Sequence, residues 1–422
     1  MSIFLTRGSR VRAARAALML CAATASFSTA RADVLNDWNA AATTVILNKG
    51  APGNVYLAFV HAVMYDAVVS IDGRYRTYAV KPTSATLGAS KEAAAASAAY
   101  HLLLTLFPDQ QPVLDPVYTA SLAAIPDGSA ENRGVAIGTE VAAGFLALRA
   151  NDGRDASVPY TFGTGPGVYQ RTPPAFGNPV TPWLAVMKPF TLLRPSQFRA
   201  YGPPDLTSER YAKDLEAVKT LGSATSTERL PEETEVGRFH TENPTTFWSR
   251  NLRDFVNTKP LDITQRARLY ALLFIGFADS GVACWDSKYY YNRWRPVTAI
   301  PAADTDGNPE TEADATWAPL VNTPPHPEYP AAHGCASGAI TEVMRRFFGT
   351  RYITFTFTST VAGTVPHTYY STDDLVEEII RARVFGGMHF PTSVAHGAVM
   401  GRSVGDWVFD NYFRPVKGHP HH

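Results

Sequence analysis

Lys288, Arg295, His333, Arg383 and His389 all lie in the last third of a 422-residue chain, and their types suit oxyanion binding and proton transfer. Lys288 and Arg295 belong to the pattern Trp285-x-x-Lys288-x6-Arg295-Pro296. Seven residues make two helical turns, which would put both cations on one helix face, and Pro296 limits that helix. The second cluster is His326-Pro-Glu-Tyr-Pro330-Ala331-Ala332-His333-Gly334. Its small-residue turn opens a helix, so free backbone N–H groups, that of Ala332 among them, can point at an anion. The third is Arg383-x3-Gly387-x-His389 at a helix end, where Gly387 allows a close backbone approach or a positive φ. Each cluster alone has an ordinary explanation, as a solvated Lys/Arg face, a structurally satisfied histidine or a helix end neutralised by arginine. Together, three cations, two histidines and a helix N-terminus are what a phosphate-shaped ligand requires, and their side chains are expected to line one pocket.

Positioning these groups falls to helices. Apolar spacing and end signals predict helices over 90–107, 133–150, 208–221, 263–291, 332–348, 373–386 and 393–413. One strand is predicted over 352–358, where aromatic or apolar residues alternate with Thr. Residues 151–204 and 304–330 read as long irregular segments that form a lid or a site wall. With no repeat and no linker, the chain reads as a mainly α protein, one large helical bundle over 33–422 with its motifs in the half from 262 to 413.

The first 32 residues hold five arginines, no acid, an apolar run from Ala16 to Phe27 and the ending Ala30-Arg31-Ala32. This is the pattern of a secretory signal peptide cleaved after Ala32, and it predicts an exported, periplasmic or secreted protein. Without those arginines, 33 Lys plus Arg (38 less 5) face 38 Asp plus Glu. A formal charge of −5 without a basic tail gives no footprint for nucleic acid or anionic membranes, and no later run of some 18 apolar residues suggests a membrane span. Cys284 and Cys335, too few for a disulfide framework, each lie close to a motif. In an oxidising compartment they could pair, whereas a free thiol beside a peroxide site is an oxidation liability. No zinc or dinucleotide motif survives inspection, and Gly334-Cys-Ala-Ser337-Gly338 has its serine one place late for a nucleophile elbow.

The three ordered motifs resemble the signature blocks of the type 2 phosphatidic acid phosphatase and vanadium-dependent haloperoxidase superfamily. Val34-Leu-Asn-Asp-Trp38-Asn39, the segment from Phe59 to Asp66, and Trp285 are similar to its bacterial haloperoxidase branch. The resemblance implies a helical bundle of the haloperoxidase and acid phosphatase type. It implies that Lys288, Arg295 and Arg383 bind the equatorial oxygens of vanadate, with phosphate able to take the same place. His389 would be the axial metal ligand, or in a phosphatase the nucleophile, and His333 the acid-base. Trp285 and His326 would belong to the substrate pocket; His326 falls where bromide-oxidising members carry a histidine, but it also reads as a loop histidine between prolines.

Three departures weaken both chemistries. Ala331 and Ala332 replace Ser and Gly, Ala382 replaces a Ser, and Ser393 stands where many members have an aspartate that orients the second histidine. Without that carboxylate His389 is expected to be less basic, and its protonation near an ordinary pKa of about 6.5 should suppress activity. The leading expectation is an enzyme that oxidises halide with hydrogen peroxide. The alternatives are a soluble acid phosphatase or phosphotransferase acting on a phosphomonoester through His389, and a non-catalytic periplasmic phosphate-binding protein.

Overall fold

The computed structural model describes residues 33–154 and 156–416; the leader segment and the His-rich end lie outside the described residues. The chain runs through α1 (Val34–Asn48), α2 (Gly53–Asp72), α3 (Lys91–Leu106), α4 (Gln111–Ala123), α5 (Ser129–Leu148), α6 (Glu209–Gly222), α7 (Pro231–Phe239) and α8 (Pro244–Asn257). It continues with α9 (Ile263–Tyr291), the single turn α10 (Pro296–Ala299), α11 (Ala332–Phe348), α12 (Thr372–Phe385) and α13 (Pro391–Asn411). The only strands among the described residues, β1 (Phe355–Phe357) and β2 (His367–Tyr369), form an antiparallel pair between α11 and α12. A mainly α bundle is thus what the chain adopts.

Local chemistry explains where these helices begin. The Ser90 hydroxyl accepts from the Ala93 amide at 3.1 Å and starts α3. Asp262 and Gln265 form a reciprocal box that starts α9, and Ser371 with Asp374 does the same for α12. The seven predicted helices stand within a few residues of their expected bounds, while α1, α2, α4, α7, α8 and the single turn α10 have no counterpart among them. The expected strand shortens to three residues.

Helices α2 and α9 are long and apolar enough to cross a membrane by length and composition, but 78% and 94% of their most apolar windows are buried in the protein. They are the centre of the core, which takes residues from Val34 to Phe413. Helices α11 and α13 lie beside α9 and touch along a seam of glycines. A Cβ on Gly334 would stand 2.3 Å from the Val394 carbonyl, and one on Gly401 would stand 2.1 Å from that of Cys335. No side chain fits there, so the two backbones are in contact. This seam holds the start of α11, with His333, against the start of α13, directly after His389.

The two irregular segments are held by buried carboxylates and backbone bonds. Asp279 on α9 accepts from the amides of Phe190 and Thr191, both at 2.7 Å. The Val180 amide donates to the Pro325 carbonyl at 2.9 Å, tying the first segment to the second.

Candidate active site

A cavity of about 480 Å³ opens where these elements meet, and His333, Arg383 and His389 are on its wall. Both irregular segments contribute, through Thr181 and Leu184 from the first and Val321 and His326 from the second. They therefore form the site wall expected of them. Trp285 and Ala332 also line it, as do His240, Glu242 and Trp248, which no sequence motif marked.

Arg383 sits in the last turn of α12 and is 3% exposed. Its Nη1 donates to the His240 carbonyl at 3.1 Å and its Nη2 to the Met388 sulfur at 2.9 Å. Its Nε has no hydrogen-bond partner. A buried guanidinium N–H left unpaired costs stability unless a ligand meets it. His333 Nε2 lies 3.5 Å from Arg383 Nη1 and accepts from it, while a second bond joins the ring to the His240 carbonyl. With Nε2 accepting, the ring is the tautomer protonated on Nδ1.

Arg295 and Lys288 are fully buried immediately behind this wall. The expectation of one helix face fails here. Helix α9 ends at Tyr291, and Asn292 takes a left-handed conformation (φ 49°) that breaks the run. Lys288 is in the last turn of α9, whereas Arg295 is the extended residue before α10. Lys288 Nζ donates to the carbonyls of Pro327 and Glu328 at 2.9 and 3.0 Å. Arg295 donates to the carbonyls of His326 and Met388, both at 2.9 Å. It also reaches His389 Nε2 and His326 Nδ1, again at 2.9 Å each. So of the five groups expected to line one pocket, three face the cavity and two back it.

Gly387 does not line the cavity. It makes the turn between Arg383 and His389 at φ 71°, and a Cβ there would stand 2.5 Å from the Gly222 carbonyl. Its role is the positive φ, not contact with a ligand.

His389 carries the residue that sequence reasoning missed. Its Nδ1 lies 2.9 Å from Glu328 Oε1, and the same oxygen accepts from the Phe390 amide at 3.1 Å. The Ser393 hydroxyl donates toward the Glu328 backbone carbonyl at 3.5 Å and also bonds with the Glu328 carboxyl, so it serves the glutamate and not the His389 ring. The expectation that His389 lacks a carboxylate is therefore wrong: Glu328, from the middle of the second motif, takes the place of an aspartate four residues on. The signal was present, because Glu328 stands five residues before His333 in a block already singled out. Only its reach of 61 positions to His389 was invisible.

Burial perturbs every charged group around the pocket. Burial pushes Arg383 down to about 9, with Arg295 adding to the shift. Burial also pushes Arg295 down to about 10 and Lys288 to about 8. Glu328 is pushed up to about 7 by burial, against the pull of Arg295 and Lys288. Three buried cations thus face one incompletely ionised carboxyl, a surplus of positive charge that a bound oxyanion would relieve. His333, His389 and His326 all lie well below 6.5, first through burial and then through neighbouring arginines. His389 is accordingly neutral, with Nδ1–H donating to Glu328 and its Nε2 lone pair accepting from Arg295. His326 is buried with its ring 5.2 Å from that of Trp285.

The helical bundle that holds this cavity has the vanadium haloperoxidase fold. Residues 268–418, which hold all three motifs, match the family described as the VCPO second helical-bundle domain. A stretch of 95 residues is 34% identical to the vanadium chloroperoxidase of Curvularia inaequalis, covering 20% of this chain and 15% of that protein. The chain therefore matches under a sixth of that relative's length. Among solved structures, the first bacterial vanadium-dependent iodoperoxidase superposes with a TM-score of 0.77 and 22% identity, over 91% of this chain and 97% of that one. An apo-type bacterial vanadium-dependent chloroperoxidase superposes with a TM-score of 0.66 and 19% identity, over 85% and 92%. At these identities the structural likeness is one of fold. The resemblance read from the three motifs is borne out.

Proposed function

We propose that this chain is a vanadium-dependent haloperoxidase that oxidises halide with hydrogen peroxide, and that it is exported through its leader. The observation that carries the reading is the unpartnered Nε of buried Arg383 on the wall beside His333 and His389. A tetrahedral oxyanion fits these residues. Arg383 offers a free donor, α11 starts at Ala332 without a side-chain cap so its first amides are available, and His389 offers a neutral nitrogen. Vanadate held there would supply a Lewis-acidic centre that activates peroxide toward halide.

The chain's own groups divide the remaining work. Arg383 and the Ala332 amide neutralise oxygen charge at the cavity wall. Glu328 fixes the His389 ring so that Nε2 points away from it, toward Arg295 and the cavity. Arg295 has to exchange its present bond with His389 Nε2 for one with the anion, and Lys288 behind it adds positive charge. Turning halide and peroxide into hypohalous acid and water consumes one proton. His333 Nε2 is the atom placed to deliver it: burial first and Arg383 second hold this ring neutral, and an anion beside Arg383 would offset the second of these.

The test is halide oxidation by metal-stripped protein with and without added orthovanadate. Activity toward iodide or bromide only after vanadate addition is the expected result. Metal-free hydrolysis of a phosphomonoester through a trapped phosphohistidine at His389, with no halide oxidation, would overturn the reading in favour of a phosphatase. Phosphate binding without either activity would leave a binding protein.

A further inference from the structure

Cys284 and Cys335 are both buried, and their sulfurs are 2.8 Å apart. That is inside the sum of two sulfur radii and short of a covalent bond, so a small side-chain rotation would join them. Cys284 lies on α9 one turn before Lys288 and is part of the cavity wall. Cys335 lies in the first turns of α11, three residues after Ala332, and its amide donates to the Ala331 carbonyl at 3.1 Å. A Cβ on Gly397 of α13 would stand 3.2 Å from the Cys335 sulfur, so the absence of a side chain there makes room for it. Neither thiol has a place in the chemistry derived above.

We infer that Cys284 and Cys335 are a peroxide-driven modification site, forming a reversible disulfide between α9 and α11 at the edge of the anion pocket. Cys284 reacts first because it alone of the two faces the cavity that peroxide enters. Its sulfur donates an electron pair to one peroxide oxygen, the O–O bond breaks, and the other oxygen leaves as water, giving a sulfenic acid. The Cys335 sulfur then attacks that sulfur, the S–O bond breaks, and the hydroxyl leaves with the Cys335 proton as a second water. Two thiols and one hydrogen peroxide become one disulfide and two waters. Burial pushes the Cys284 thiol up, but the Cys335 thiol, Lys288 and Arg295 together outweigh it and draw its pKa down, which favours the attacking thiolate. The disulfide spares Cys284 from the irreversible sulfinic state in an enzyme bathed in its own oxidant.

The inference rests on the proposed function only for the identity of the oxidant. The full protein is treated with hydrogen peroxide, or separately with diamide, a thiol oxidant that needs no peroxide chemistry. It is then unfolded in an alkylating reagent and mapped by peptide mass. Loss of both alkyl adducts, one cross-linked peptide joining positions 284 and 335, and recovery of both adducts with dithiothreitol are expected in either arm. Cross-linking by diamide alone overturns the peroxide step but not the pairing. In Cys335→Ser, which lacks the partner thiol, peroxide should instead accumulate sulfinic acid on Cys284. Two fully alkylated cysteines after both oxidants, or a sulfinic Cys284 in the wild-type protein, would overturn the inference whatever the halide assay shows.

Discussion

Ser393 stands where a carboxylate is expected behind His389, and Glu328 supplies that carboxylate from elsewhere in the chain. The exchange has a measurable consequence. Glu328→Leu leaves His389 Nδ1 and the Phe390 amide without an acceptor, so vanadate affinity should fall roughly ten- to a hundredfold, as for other lost partners of a metal-bound histidine. Glu328→Gln keeps an oxygen there and should lose far less; calorimetric titration of the two variants checks the difference. The second consequence concerns pH. An ordinary histidine titrates near 6.5, and that was the expectation from sequence, but burial and Arg295 hold His389 well below it. Its ring resonances should therefore show no inflection near pH 6.5, and a titration centred there would contradict the neutral, Glu328-bound ring. Since the unfolded chain gains that proton and the folded one does not, this site lowers stability as pH falls below 6.5.

At the scale of elements, the glycine seam between α11 and α13 sets the distance between His333 and His389. Gly338→Ala would place a Cβ 2.2 Å from the Ala398 carbonyl, so the helices must separate. A loss of about 1–3 kcal/mol in urea unfolding is expected from such overpacking, together with weaker vanadate binding because both motif ends move. A second element, the β2 strand, is held by His367, whose ring lies 2.8 Å from Glu378 on α12 and 2.9 Å from Glu235 on α7. Burial alone would lower its pKa, but the two carboxylates raise it above 6.5. The clamp is therefore complete below pH 6.5 and is lost as pH rises through the raised value. His367→Gln should narrow the pH dependence of the urea midpoint in that upper window, and an unchanged profile would show that the clamp carries no charge. Helix bounds such as 332–348 and 263–291 were legible because capping residues and apolar spacing are local. The course of the chain beyond that end was not, since a seven-residue spacing from Lys288 to Arg295 suits one helix face, whereas the left-handed turn at Asn292 carries Arg295 into a separate segment.

Across the whole molecule, the near-neutral composition conceals a buried cluster of positive charge. Sequence could name its members, because Lys288, Arg295, His333, Arg383 and His389 sit in compact motifs. It could not show that Lys288 spends its donors on backbone carbonyls and Arg295 on carbonyls and two histidine rings while Arg383 keeps one free, nor that His240 and Trp248 complete the wall. Those facts depend on contacts between segments far apart in the chain. On the proposed function, this cavity is one oxyanion site centred on Arg383 and His389. Calorimetric titration of metal-stripped protein with orthovanadate tests it most directly, comparing wild type with Arg383→Met and His389→Ala. One site per chain is expected in the wild type. Arg383→Met should be weaker by about 1.5–3 kcal/mol, the worth of a hydrogen bond to a charged group, and His389→Ala should lose most of the vanadate affinity. Wild-type affinity in both variants would contradict it.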